Sequence, residues 1–196
     1  RSNKRGGAWM NSYSVQSDLM GAQPIVANHL NITKPVDGEP TLITLDEVTT
    51  MFHEFGHALH QMLSDVSYEM VSGTSVPRDF VELPSQLYEH WLEVPKVLEK
   101  FATHVDTGEV MPPELLDKVL GAATFDMGFQ TVEYVASAMV DLEYHTRDVP
   151  KDIMARQGEV LEAMGMPNAI GMRHATTQFG HVFSGGSYAS GYYSYM

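Results

Sequence analysis

His53, Glu54 and His57 stand in the order HEFGH, and Glu82 follows 25 residues after the second histidine in RDFVELPSQ. On a helix, residues four apart lie one turn above each other, so His53 and His57 can offer both imidazoles to one cation. Glu54 lies beside that face. Glu82 cannot reach the pair along the same helix, because 25 further residues would carry it roughly 37 Å away at about 1.5 Å per residue. The chain must turn back, and the Ser-, Gly- and Pro-rich stretch from Ser64 to Pro77 supplies the turn. Two imidazoles and one carboxylate suit zinc, and they leave a fourth position for water, as a catalytic site requires.

The element that must carry the pair reads as a helix. Thr44 to Glu47 form a capping-box sequence, and LDEVTTMFHEFGHALHQML continues without proline. Phe52, Phe55, Leu59 and Met62 are expected to point into a core while His53 and His57 face a cleft. His60 shares the histidine face but sits two turns from His53, roughly 10 Å along the axis, too far to share a metal bonded at about 2 Å. It is expected behind the ligands or in the core. A zinc pattern with a third histidine needs Gly at position 60 and His at 63, where this chain has His60 and Leu63.

Ahead of that helix, Ala8 to Val15 and Pro24 to Ile32 read as extended, with Thr41 to Thr44 as a short third segment. A free edge of such a sheet could pair with an extended peptide, and 24–32 is the candidate strand. After Pro77 the pattern is helical over 78–93, 96–104, 113–142 with a break near Gly121 or Gly128, and 151–164. Pro84 falls two residues after Glu82, where it must lie near a helix start or kink the helix. Asp79, three residues before Glu82, is placed to accept a hydrogen bond from a ligating imidazole, or else to serve as a helix-start acid.

The chain ends on FGHVFSGGSYASGYYSYM. Gly185 and Gly186 allow a tight loop, and Tyr188, Tyr192 and Tyr195, at spacings of four and three, could line one helical face. With His181 they offer hydrogen-bond donors suited to an oxyanion, or else an aromatic packing helix.

Composition narrows the classes. A net charge of -13 over 196 residues argues against nucleic acid, and the basic RSNKR start is too short to reverse it. No stretch approaches 18 apolar residues, so no membrane span is expected. Without cysteine, any metal must be held by His, Asp or Glu. The chain opens on Arg1 and stops inside GYYSYM, so residues 1–196 read as one catalytic domain cut at both ends.

With HEFGHALH, SGTSVPRDFVELPSQ and the closing GYYSY run together, the chain resembles the thimet oligopeptidase family of zinc peptidases along nearly its whole length, from RGGAWM to the last tyrosines. SGTSVPRDFVELPSQLYEHW looks most like the dipeptidyl carboxypeptidase branch. The resemblance implies a mainly α fold with a small β-sheet near the metal, the zincin-like core of a larger helical ellipsoid. It also implies one Zn2+ held by His53, His57 and Glu82, with Glu54 as catalytic acid/base and His181, Tyr188, Tyr192 and Tyr195 at the substrate and transition state. Ser187 stands as an extra residue in the 181–188 loop. The expected activity is zinc-dependent cleavage of short peptides by a cytoplasmic or periplasmic monomer, the cytoplasm being favoured. A non-catalytic zinc- or peptide-binding module is the alternative.

Overall fold

The computed structural model describes residues 6–185 and 188–196. RSNKR at the start, and Gly186 and Ser187 of the glycine loop, lie outside the described residues. The chain forms two compact units, Arg1–Leu120 and Gly121–Met196.

The first unit opens with β1 (Trp9–Ser14) and β2 (Ile25–His29), an antiparallel pair in which Trp9 faces His29 and Ser12 faces Val26. An extra residue at Tyr13 bulges the pairing before Ser14 meets Ile25. The segment 41–44 is not a strand. Its last residue instead caps the next helix. α1 (Leu45–Met62) starts at a complete capping box, with the Thr44 hydroxyl accepting from Glu47 N–H and the Glu47 carboxylate accepting from Thr44 N–H at 2.7 Å. α1 packs on both strands and, most extensively, on α2 (Arg78–Glu89). A single 3-10 turn at Glu69–Val71 interrupts the link between them.

Which face of α1 is buried differs from expectation. Phe55 and Met62 are exposed, while Glu54, Gly56, Ala58 and Gln61 are buried. The reason is a close helix–helix approach. A Cβ built on Gly56 would stand 2.6 Å from Ser85 Cα and 2.7 Å from the Pro84 carbonyl, so only glycine lets the two backbones meet there. Large apolar side chains do not fit that seam, and small or polar ones fill it. Phe52 and Phe55 instead pack at its border on Tyr88, with ring centroids 5.4 and 5.7 Å away. Pro84 lies inside α2, in its second turn.

Beyond α2 come a 3-10 turn at His90–Glu93, α3 (Pro95–Phe101) and α4 (Pro113–Ala122). The expected helix over 113–142 breaks between α4 and α5 (Met127–Thr146), where Asp126 adopts φ 53. The second unit adds α6 (Ile153–Ala163), a 3-10 turn at Thr176–Gln178, the short α7 (Gly180–Phe183) and a closing 3-10 turn at Tyr192–Tyr195. Its core is Ala138, Phe179, Val182 and Tyr192, flanked by Tyr134, Met172, Tyr188 and Tyr195. The fold is thus mainly helical with one two-stranded sheet.

Candidate metal centre

In the first unit, α1 delivers His53 and His57 one turn apart, with rings 4.9 Å apart and nearly perpendicular. α2, held close by the Gly56 seam, delivers Glu82 from the facing helix. Glu82 is 1% exposed, and its Oε2 lies 3.2 Å from His53 Nε2 and 3.2 Å from His57 Nε2. Ser85 fixes this carboxylate, its hydroxyl donating to Glu82 Oε2 at 3.1 Å and to the Glu82 carbonyl at 2.8 Å. Among the described residues these three form the His/Asp/Glu group able to hold a metal ion, with ligand atoms all within 4.8 Å of one another.

The donor set fits zinc. Tetrahedral ligands bonded at about 2.0–2.1 Å stand about 3.4 Å apart, close to the imidazole–carboxylate separations found here. Both histidines turn Nε2 toward the shared oxygen, which leaves Nδ1 for other partners. His53 Nδ1 donates to Glu89 Oε1 at 2.6 Å. A carboxylate behind a ligating imidazole fixes its tautomer and strengthens it as a donor. Of the two roles open to Asp79, its place in the first turn of α2 fits the helix-start acid, and Glu89, two turns beyond Glu82 on the same helix, supports His53 instead. His57 Nδ1 is buried and has no hydrogen-bond partner among the described residues.

Electrostatics follow from this packing. Burial opposes a charge on His53, but hydrogen bonds to Glu82 and Glu89, together with their negative charges, outweigh it and raise its pKa to about 9. Glu54, buried one position after His53, has its pKa raised from the ordinary carboxylate value chiefly by burial, against the lowering effect of His53 and His57 and of the Met10 N–H. That N–H belongs to β1, so the sheet reaches the site as expected. Burial and the neighbouring His57 push the His60 pKa down, and its ring meets Phe80 edge-on at 6.0 Å. His60 is a packing residue, lining a 480 Å³ groove with Leu63, Val66 and Trp91.

The second unit gathers the other candidates, though by turns and not by a helix across 188–195. His181 Nε2 lies 2.9 Å from the Tyr195 hydroxyl. Its ring packs on Tyr188 at 4.4 Å, and Tyr188 stacks on Tyr195 at 5.5 Å. Tyr192 is the exception in being core: it is 8% exposed, lies edge-on to Phe179 at 4.8 Å, and has its pKa raised chiefly by burial.

Residues 1–196 match Peptidase family M3. The chain is 42% identical over 201 residues to the dipeptidyl carboxypeptidase of Salmonella typhimurium, covering 100% of this chain and 29% of that protein. It is 39% identical over 203 residues to oligopeptidase A of Escherichia coli, covering 100% of this chain and 30% of the relative. Against mitochondrial intermediate peptidase 2 of Cryptococcus neoformans it is 34% identical over 176 residues, 88% of this chain and 21% of the relative. The chain therefore spans less than a third of the length of these curated relatives. No helix among the described residues is long and apolar enough to cross a membrane. This chain belongs to peptidase family M3.

Proposed function

We propose that the chain carries the zinc site of a metallopeptidase that hydrolyses short peptides. The observation that supports this most directly is the convergence of two imidazole Nε2 atoms on one buried Glu82 oxygen at 3.2 Å each. His53, His57 and Glu82 would hold one Zn2+, and Glu89 would orient His53. Bound there, zinc supplies Lewis acidity toward water and toward a peptide carbonyl.

Glu54 is the proton carrier. Burial raises its pKa, a shift in the direction that suits a carboxylate taking a proton from the attacking water and returning it to the leaving amine. The family resemblance assigns His181, Tyr188, Tyr192 and Tyr195 to the substrate and the developing oxyanion, with the Tyr195 hydroxyl as the donor and His181 as its hydrogen-bond partner. The names of the relatives favour a peptidyl-dipeptidase or an oligopeptidase. These differ in whether amidating the peptide's C-terminus blocks cleavage. One relative is named a probable cytosolic oligopeptidase A, which favours a cytoplasmic site of action.

The test is Glu54→Gln in the full natural polypeptide, with metal content and peptide cleavage measured together. Retained zinc with hydrolysis reduced by about 10³-fold or more is expected. Undiminished turnover removes Glu54 from this role. Zinc without cleavage in the unaltered protein leaves a binding module.

A further inference from the structure

Asp141 is a buried carboxylate in α5 that none of the roles above uses. It is 1% exposed. Its two oxygens point at backbone far along the chain: Oδ1 accepts from Ser190 N–H at 3.0 Å, and Oδ2 from Tyr192 N–H at 3.0 Å. His145, one turn further along α5, places Nδ1 2.8 Å from Asp141 Oδ1, the oxygen that also accepts from Ser190, and 2.9 Å from the Asp141 carbonyl. A second tie comes from the same helix. The Tyr134 hydroxyl donates to the Tyr192 carbonyl, and its ring stacks on Tyr192 at 5.1 Å. Side chains of α5 thus grip both the N–H and the C=O of Tyr192.

The backbone so held is an unusual one. Ser190 has φ 59, a left-handed conformation that serine rarely adopts and glycine would enter freely. Two charge-assisted hydrogen bonds to one carboxylate, flanking Gly191, offset that strain. The 3-10 turn that follows carries Tyr195 to His181, so the direction in which the chain leaves Ser190 sets where that hydroxyl stands.

We infer that Asp141 is a positioning residue, whose carboxylate fixes the turn at Ser190–Tyr192 and through it the Tyr195–His181 pair. The inference rests on the proposed role of those groups at the transition state. It differs from ordinary core support in predicting an effect on turnover at unchanged substrate affinity.

Asp141→Asn in the metal-loaded full natural polypeptide tests it, because the amide keeps the shape but can accept from only one of the two N–H groups. Three quantities are read together: hydrogen exchange across 188–196, kcat with KM, and the melting temperature with metal content. Exchange at Ser190 and Tyr192 should speed up by about tenfold or more, while protection elsewhere is kept. kcat should fall about tenfold or more with KM within about twofold and metal retained. Unchanged exchange overturns the inference, and so does faster exchange with kcat intact. A rise in KM alone, which marks lost uniform substrate binding, also overturns it, and so does a uniform loss of protection, which marks a merely structural role. Tyr134→Phe removes the hydroxyl that ties the Tyr192 carbonyl to α5, and it should give the same pattern more weakly if Asp141→Asn does not fold. Should the unaltered protein hydrolyse no peptide, the proposed function fails, and the exchange data alone still decide whether Asp141 holds the segment.

Discussion

Replacing Glu89 with glutamine isolates what the carboxylate behind His53 does for the metal. The 2.6 Å contact is a charge-assisted hydrogen bond, and Glu89 helps Glu82 raise the His53 pKa to about 9 against the effect of burial. Two effects of opposite sign follow. At about pH 7 an incoming metal must displace the His53 proton, at about 1.4 kcal/mol for each pH unit below the pKa, or about 2.7 kcal/mol in all. Glutamine makes that displacement easier. It also removes the anion that strengthens the imidazole and holds Nε2 toward the metal, a loss that usually weakens binding about 10- to 100-fold, or about 1.4–2.7 kcal/mol. Near neutral pH the two partly offset each other; above about pH 9 only the second remains. Chelator competition at about pH 7 and about pH 9.5 measures both. The unaltered protein's log affinity should rise by about one for each pH unit up to about 9, and the variant's more gently, ending about tenfold or more weaker. A flat profile for the unaltered protein, or equal affinities at the upper pH, would refute the role given to Glu89.

The metal-free protein should show the same linkage in its stability. Because the folded-state pKa of His53 is raised to about 9, its stabilisation is fully present below about pH 6.5 and is lost as pH rises through about 9; the limit is roughly 3 kcal/mol. Urea unfolding of chelator-treated protein against His53→Gln reads this as a gap that closes at high pH, and a gap that widens contradicts it. Gly56→Ala forces a Cβ to within 2.6 Å of backbone, so a loss of about 1–3 kcal/mol is expected, with weaker zinc binding as α2 is pushed away. Full stability and affinity in that variant would remove the seam argument. Tyr195→Phe should lower kcat by about 10- to 100-fold and leave KM nearly unchanged, whereas a change confined to KM would count against oxyanion donation.

What could be read from the sequence was what is local or tied to a fixed period. The capping box at Thr44 and the turn-spaced histidines depend on neighbours within four residues, so residue order alone specifies them. Glu82 was within reach because the proline- and glycine-rich link forces a reversal. Glu89 lies seven residues past Glu82, at a spacing that returns to the same helix face, but without the helix-start position and short separation that make Asp79 conspicuous. The buried stripe of α1 was misassigned because large apolar residues suggest a core, whereas this seam is defined by close backbone approach at Gly56. The spacing of four and three at Tyr188, Tyr192 and Tyr195 suggests a helical face, but turns bring them together. The clamp made by Asp141 has no local signature, since the backbone N–H groups it holds lie 49 and 51 residues further along the chain.

The ligands at the candidate centre come from two helices joined by a loop whose two ends are tied by side chains, Ser64 Oγ accepting from Gly73 N–H and Gln61 Oε1 from Thr74 N–H. A metal ion there is a crosslink between positions 53 and 82, spanning 29 residues (82 minus 53). A tie across about 30 residues restricts the unfolded chain by an amount worth roughly 3–4 kcal/mol in the chain-entropy picture. Chelation would then release the connection from Leu63 to Pro77 as well as remove a Lewis acid. Susceptibility of that connection to proteolysis becomes a gauge of metal occupancy that needs no substrate at all.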